Sequence, residues 1–246
     1  KFDIEKEQYS KRPSINVYGS FFVAGQKDNI IRIGNCGWDG HIVIEKNGCC
    51  KFKYVDIKYS FGLIFDYNAK ISKIENCLFE QCFFGVVNFS KVIVKNSEFR
   101  FNIYGIASYD KCITYNNALY ENLKCGIIIN SPKKSYTVSN YFFLNNNALN
   151  YKQSSKASAK SNILYCNSSG ISVSDSSGMR ISNNIFFDHD IGLKITGNSF
   201  DVYVIEGVYS SSTIHVLDES SIEISNALVV VCDVGIICSE YTKIFI

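Results

Sequence analysis

One phrase of about 21 residues recurs along the whole chain, and it constrains the fold more than any other feature. Clear copies are I-E-N-C-L-F-E-Q-C-F-F-G-V-V-N (74–88), V-K-N-S-E-F-R-F-N-I-Y-G-I-A-S (94–108) and I-S-N-N-I-F-F-D-H-D-I-G-L-K-I (181–195). Each has an apolar strand, an Asn, an aromatic, a polar turn, a small residue and a second apolar strand. The small-residue column runs His41, Gly62, Gly85, Gly105, Gly126, Ala148, Gly170, Gly192, Thr213, Gly235, with spacings of 21, 23, 20, 21, 22, 22, 22, 21 and 22. A unit that short cannot bury an apolar face alone. It must stack on its copies, which makes a solenoid.

Within a unit the apolar residues alternate, as strands require. Ile74, Val94, Val138, Ile181, Val204 and Ile224 precede the Asn column, and Leu63, Val86, Ile106, Ile127, Leu149, Ile171, Leu193, Ile214 and Ile236 follow the small residue. All of these are expected to point inward. Tyr, Phe and β-branched residues abound and Pro is scarce (2 of 246), which fits strands. No stretch has the apolar spacing of three and four that a helix needs, so a leucine-rich horseshoe is excluded. The expected fold is all-β: a right-handed parallel β-helix of about ten coils. The column Asp56, Asn76, Asn96, Asn116, Asn140, Asn162, Asn183, Glu206, Asn226 reads as a carboxamide ladder inside a turn, each side chain bonding its copies above and below.

Residues 1–26, dense in charge at the start and outside the repeat, are expected to open or cap the solenoid, with the β-helix over 27–246. K-I-F-I (243–246) reads as the first strand of a further coil, so the sequence stops in mid-repeat. A net charge of +2 gives no reason to expect nucleic acid, and the longest apolar runs are too short to span a bilayer as a helix. None of the ten cysteines forms a C-x-x-C pair, and most fall in core or turn columns, so they read as buried free thiols rather than zinc ligands.

The I-x-x-N-x-x-F…G-I pattern over about residues 27 to 246 resembles the right-handed β-helices of the pectin-lyase-like superfamily. That group holds polysaccharide lyases, glycoside hydrolases, uronate epimerases, phage tailspikes and periplasmic carbohydrate-binding proteins. The resemblance implies an extracellular, virion-surface or cell-surface setting, whereas ten unpaired thiols fit the cytoplasm. It also implies a site on an outward face, in a groove running along the strands.

The outward column two residues after the small position is Val43, Ile64, Val87, Ala107, Ile128, Asn150, Ser172, Lys194, His215, Ile237. It changes from apolar to polar half-way. On the polar half, Lys194 and His215 are one coil apart, and Asp188, His189 and Asp190 lie in the turn before the Lys194 strand. An ammonium can neutralise a uronate carboxylate while His or Asp moves the adjacent proton. Asp188, His189, Asp190 and His215 are therefore the catalytic candidates and Lys194 a substrate-binding one. The tripeptide is similar to the Asp-Pro-His-Asp motif of alginate epimerases, without its Pro. His189 also falls in a turn column with Asn102, Asn145 and Asn167, where it can stand in for a ladder Asn. Arg180 and Tyr203 share a different outward column with Glu223 and are further sugar-binding candidates. Two acids without other oxygen ligands do not make a calcium site, so no metal or cofactor is expected. The lysines read as dispersed along the chain. The apolar stripe of Val43, Ile64, Val87 and Ile128 calls for a cover, expected to be a second subunit. Two functions remain: a β-helix that binds or processes an acidic polysaccharide, and a structural or adhesive rod with no chemistry of its own.

Overall fold

The computed structural model describes residues 14–34, 40–154, 156–176, 178–230, 235–239 and 242–246. These form three parallel sheets of eleven, eleven and ten strands. The chain visits sheet 1, sheet 2 and sheet 3 in turn and then starts again one layer up. One layer consists of Val92–Lys95 in sheet 2, Glu98–Arg100 in sheet 3 and Tyr104–Ser108 in sheet 1. The next layer repeats it in register, with Val94 opposite Thr114, Phe99 opposite Leu119 and Ile106 opposite Ile127. Layers are separated by one strand spacing, about 4.8 Å. The expected parallel solenoid is therefore the fold.

The coil is already running at Ser14. Ser14–Val17 pairs with His41–Ile44 in sheet 1, and Ser20–Ala24 pairs with Cys49–Lys53 in sheet 2. The segment expected to cap the solenoid up to residue 26 thus supplies its first strands, because I-N-V and F-F-V-A alternate like every later strand. The charged residues 1–13 lie outside the described residues.

Inward side chains fill the bore. Sheet 3 contributes one column of large ones: Ile57, Phe79, Phe99, Leu119, Phe142, Leu164, Phe186 and Tyr209. Phe79 and Phe99 stack at 4.8 Å, and Phe186 and Tyr209 at 4.4 Å. All eight are buried.

Two sharp corners flank sheet 3, and both are built alike. A single residue takes the left-handed conformation, and the next residue turns its side chain inward. At the corner before sheet 3 the left-handed residues include Asn76, Asn96, Asn116, Ser139, Ser161 and Asn183, with φ from 52° to 55°. The inward residues that follow are Cys77, Ser97, Asn117, Asn140, Asn162 and Asn184. In this second set each Asn side chain accepts the backbone N–H one layer below: Asn117 from Ser97, Asn140 from Asn117, Asn162 from Asn140 and Asn184 from Asn162, at 2.9 Å each. The Asn column read from the sequence therefore merges two columns. Asn140 and Asn162 belong to the buried ladder. Asn96 and Asn116 are exposed and stand where the backbone needs αL, a conformation that Asn tolerates better than most residues. The corner after sheet 3 has its own ladder: Cys82, Asn102, Asn122, Asn145, Asn167 and His189.

The apolar stripe on the outside of sheet 1 has the register expected, Val43 to Ile64 to Val87 to Ala107 to Ile128. It is not bare, however: Ile64, Val87 and Ala107 are 9%, 2% and 1% exposed. The chain covers the stripe with its own rings. Phe61, Phe84 and Tyr104 close over it from one edge of the sheet, Phe84 and Tyr104 stacking at 5.1 Å. Phe89 and Tyr109 close over it from the other, stacked at 5.0 Å. This small external core removes the reason for a covering subunit on Val43, Ile64, Val87 and Ile128. It is hidden in the sequence because the rings sit two or three residues outside the column and only fold back onto it in three dimensions.

Among the described residues Cys49, Cys50, Cys77, Cys82, Cys112, Cys125, Cys166 and Cys238 carry free thiols. Burial pushes Cys77 and Cys82 up to about 11, and Cys112 and Cys125 up to about 12. Such thiols are unreactive packing groups.

Candidate functional site

Sheet 1 ends its apolar stripe at Ile128 and continues outward through Asn150, Ser172, Lys194 and His215. The outward residues are now polar and half-exposed. Ser169 and Ser172 lie within hydrogen-bond distance, 3.0 Å. Lys194 and His215 are direct partners on adjacent strands, Ile191–Thr196 and Ile214–Val216, and both face out.

The protonation of His215 follows from its neighbours. The Thr213 hydroxyl donates to the Asp190 carbonyl oxygen at 3.2 Å and lies 3.0 Å from His215 Nε2. With its proton so committed, Thr213 Oγ1 accepts from Nε2–H, and the lone pair is left on Nδ1. Partial burial holds the imidazole below its usual range, and the Lys194 charge pushes the same way. A neutral imidazole beside an ammonium has the polarity of a base next to an anion-binding group. In the repeat Thr213 only replaces a glycine. Its role is legible in the strand period all the same: residues 213 and 215 are two apart and share a face.

The other candidates separate. His189 is buried, and its Nδ1 accepts the Asn167 N–H at 3.0 Å, in the place that Asn occupies in the layers below. Among the described residues its Nε2 is buried without a hydrogen-bond partner. It is thus a rung of the ladder. Asp188 takes the left-handed corner position, φ 58°, and accepts from the Cys166 thiol at 3.3 Å. Asp190 is exposed in the turn before Lys194 and reaches the site through its backbone carbonyl. Arg180 and Tyr203 are partners in sheet 2, on another face from Lys194 and His215. Among the described residues no three His, Cys, Asp or Glu side chains converge as metal ligands, and no helix is long and apolar enough to cross a membrane.

The buried imidazole has a measurable consequence. Desolvation lowers the pKa of His189, with Asp188 and Asp190 opposing it. A lowered folded pKa means that the unfolded chain binds the proton first. The contribution of His189 is therefore intact above the ordinary imidazole value of about 6.5 and is lost as the pH falls from there toward the lowered one. His189→Asn restores the usual rung. It is expected to flatten that part of the stability–pH curve in urea titrations from about pH 7.5 down to about 5.

A closed stack of three parallel sheets with inward Asn ladders at its corners decides the family, and the family model described as "Right handed beta helix region" matches residues 40–209 and 84–246. The chain belongs to the right-handed β-helix family. No curated protein matches it by sequence. Among solved structures it is similar to a double mutant of the periplasmic alginate epimerase AlgG, at 15% identity and TM-score 0.50, over 92% of this chain and 77% of that one. It is also similar to the surface protein and adhesin PfbA of Streptococcus pneumoniae, at 10% identity and TM-score 0.39, over 95% and 91% of the two chains. These likenesses concern the fold.

Proposed function

We propose that this β-helix binds an acidic polysaccharide across the polar half of sheet 1 and acts on it beside the uronate carboxylate. The observation that carries the reading is the outward Lys194–His215 pair, in which Thr213 Oγ1 occupies Nε2 at 3.0 Å and leaves Nδ1 as the ring nitrogen turned to a substrate. Lys194 would hold the carboxylate and lower the cost of charge developing on it. His215 Nδ1 would take the neighbouring carbon-bound proton, while Thr213 and the Asp190 carbonyl fix the ring. Asn150, Ser172 and Ser169 offer hydroxyl and amide partners to the sugars on one side. In elimination the departing glycosidic oxygen takes its proton from the imidazolium so formed or from solvent, and in epimerisation solvent returns a proton to the carbon; Asp190 contributes its backbone carbonyl. The AlgG likeness agrees with such chemistry but at 15% identity supports only the fold.

The test uses uronate oligomers. His215→Ala is expected to keep binding and to lose formation of unsaturated or epimerised products. Lys194→Gln is expected to weaken binding by about tenfold, the usual worth of one charge-assisted hydrogen bond. Unchanged behaviour in both variants would leave the reading of a structural or adhesive rod. One observation favours that second reading. The outer face of sheet 3 is apolar in its later coils, with Ile163, Ile185 and Leu228 exposed by 45%, 45% and 57%.

A further inference from the structure

The lysines that look scattered along the sequence are gathered by the coil. Directly before the inward residue of the sheet 2 strands stand Lys91, Lys111, Lys134 and Lys156, in four successive layers. The register fixes this. Val92 pairs with Cys112, Ile113 with Tyr136, and Tyr136 with Ser158, so, counting back from these pairs, the four lysines stand on successive layers, which are spaced by about 4.8 Å. Lys51, Lys73 and Arg180 extend the same outward face to either side. On these strands Glu75 is already held by Lys95, at 3.1 Å. Beside the row, Asp110 is held by Lys133. None of the four lysines of the row has a carboxylate within ion-pair distance among the described residues. The whole chain carries only +2, so this face is a local concentration of charge that the acids of later layers offset.

Like charges directly opposite on neighbouring strands repel and destabilise a sheet. A row of them without counter-charges therefore has a cost that an anion lying along it would remove. We infer that the sheet 2 face is a docking strip for a linear acidic polysaccharide running along the rod axis. An extended pyranose chain advances by close to one layer per ring, so one carboxylate or sulfate can meet each lysine. A single-stranded nucleic acid fits less well, because base binding needs free aromatic faces. The central column here is Ile93, Ile113 and Tyr136, with the Tyr136 ring already under the Lys134 ammonium at 5.3 Å, and the exposed Tyr115 stands in a column between Lys95 and Val138 and so makes no run of stacked rings. The strip is on a different sheet from Lys194 and His215 and does not rest on the chemistry proposed there.

The test measures binding of the full chain to polygalacturonate, to neutral dextran and to a single-stranded oligothymidylate over a range of salt. The expected result is binding to polygalacturonate that weakens steeply with salt, and none to dextran. Replacing all four lysines by Gln should weaken polygalacturonate binding by at least about tenfold and flatten its salt dependence, since fewer counterions are displaced. The same variant should melt no lower than the parent in low salt, because the repulsion is gone. If the fourfold variant does not fold, Lys111→Gln with Lys134→Gln carries the same comparison. Lys194→Gln weakens only the sheet 1 site, so the steep salt dependence should survive it and be lost in the lysine-row variant, which separates a failure of the strip from a failure of the sheet 1 site. Equal binding by parent and lysine variant, no polygalacturonate binding by the parent, or tighter binding of the oligothymidylate would each overturn the inference.

Discussion

Asn140→Leu is expected to destabilise the β-helix by about 2–6 kcal/mol, whereas Asn96→Gly should fall within about 0.5 kcal/mol of the parent. Asn140 is buried, and its Oδ1 accepts from both the backbone N–H and the Nδ2 of Asn117, at 2.9 Å each. Its own Nδ2 reaches Asn162 Oδ1 at 3.2 Å and Thr114 Oγ1 at 3.3 Å. Leucine fills much of the same volume but orphans two buried donors in the layer below, each worth about 1–3 kcal/mol. Asn96 is exposed at φ 52°, and its one side-chain bond, to Asn116, is exposed as well. Glycine adopts that φ freely. Urea unfolding of the two variants separates the two Asn columns. A large loss from Asn96→Gly with little from Asn140→Leu would mean that the ladder had been assigned to the wrong column.

That pair of residues also shows where sequence reading stops. The period is plain because every coil must bury the same faces, and so fold class, direction of the strands and the outward column from Val43 to His215 follow from counting. The two Asn columns are adjacent in sequence, and the chain uses Asn for both: once because αL favours it, once because the corner amides need a buried acceptor. Composition cannot tell these apart. Asn140 and Asn162 are ladder rungs while Asn96 and Asn116 are corner residues, because Ser139 and Ser161 take the αL place in the coils of the first two. The candidate site is legible to the same extent. Lys194 and His215 meet because cross-strand register is a matter of counting. His189 joins the ladder instead, a role that the Asn at the same turn position in earlier coils already offers. The lysine row stays hidden because coils of 20 to 23 residues place its members at uneven spacings until the strands are paired.

Gly85→Ala should cost about 1–3 kcal/mol or more, and Phe99→Leu in the same chain should recover part of that loss. The small-residue column looks like a turn requirement, but of its glycines from Gly62 to Gly192 only Gly62 has a positive φ, 132°. The others are glycine because the next layer is too close. A Cβ on Gly85 would lie 2.6 Å from the Gly105 carbonyl oxygen and 2.6 Å from Phe99 Cδ1. Gly170 meets Phe186 at 2.9 Å and Gly126 meets Phe142 at 3.0 Å in the same way. The inward ring one layer on therefore presses against the column from sheet 3. Where that residue is Leu164, the column holds Ala148, fully buried. Where it is Leu119, the contact to Gly105 eases to 3.2 Å. Gly192 departs from this, meeting Ser212 Cβ at 2.8 Å with the Tyr209 ring at 3.3 Å, but at Gly85, where the Phe99 ring edge presses at 2.6 Å, column residue and sheet 3 residue trade volume. A double-mutant cycle on these two positions, read by thermal or urea unfolding, should show a favourable coupling of about 1–2 kcal/mol between Gly85→Ala and Phe99→Leu. Strictly additive losses would mean that the carbonyl of the next layer alone excludes a side chain, and that the neighbouring ring has no part in setting the column.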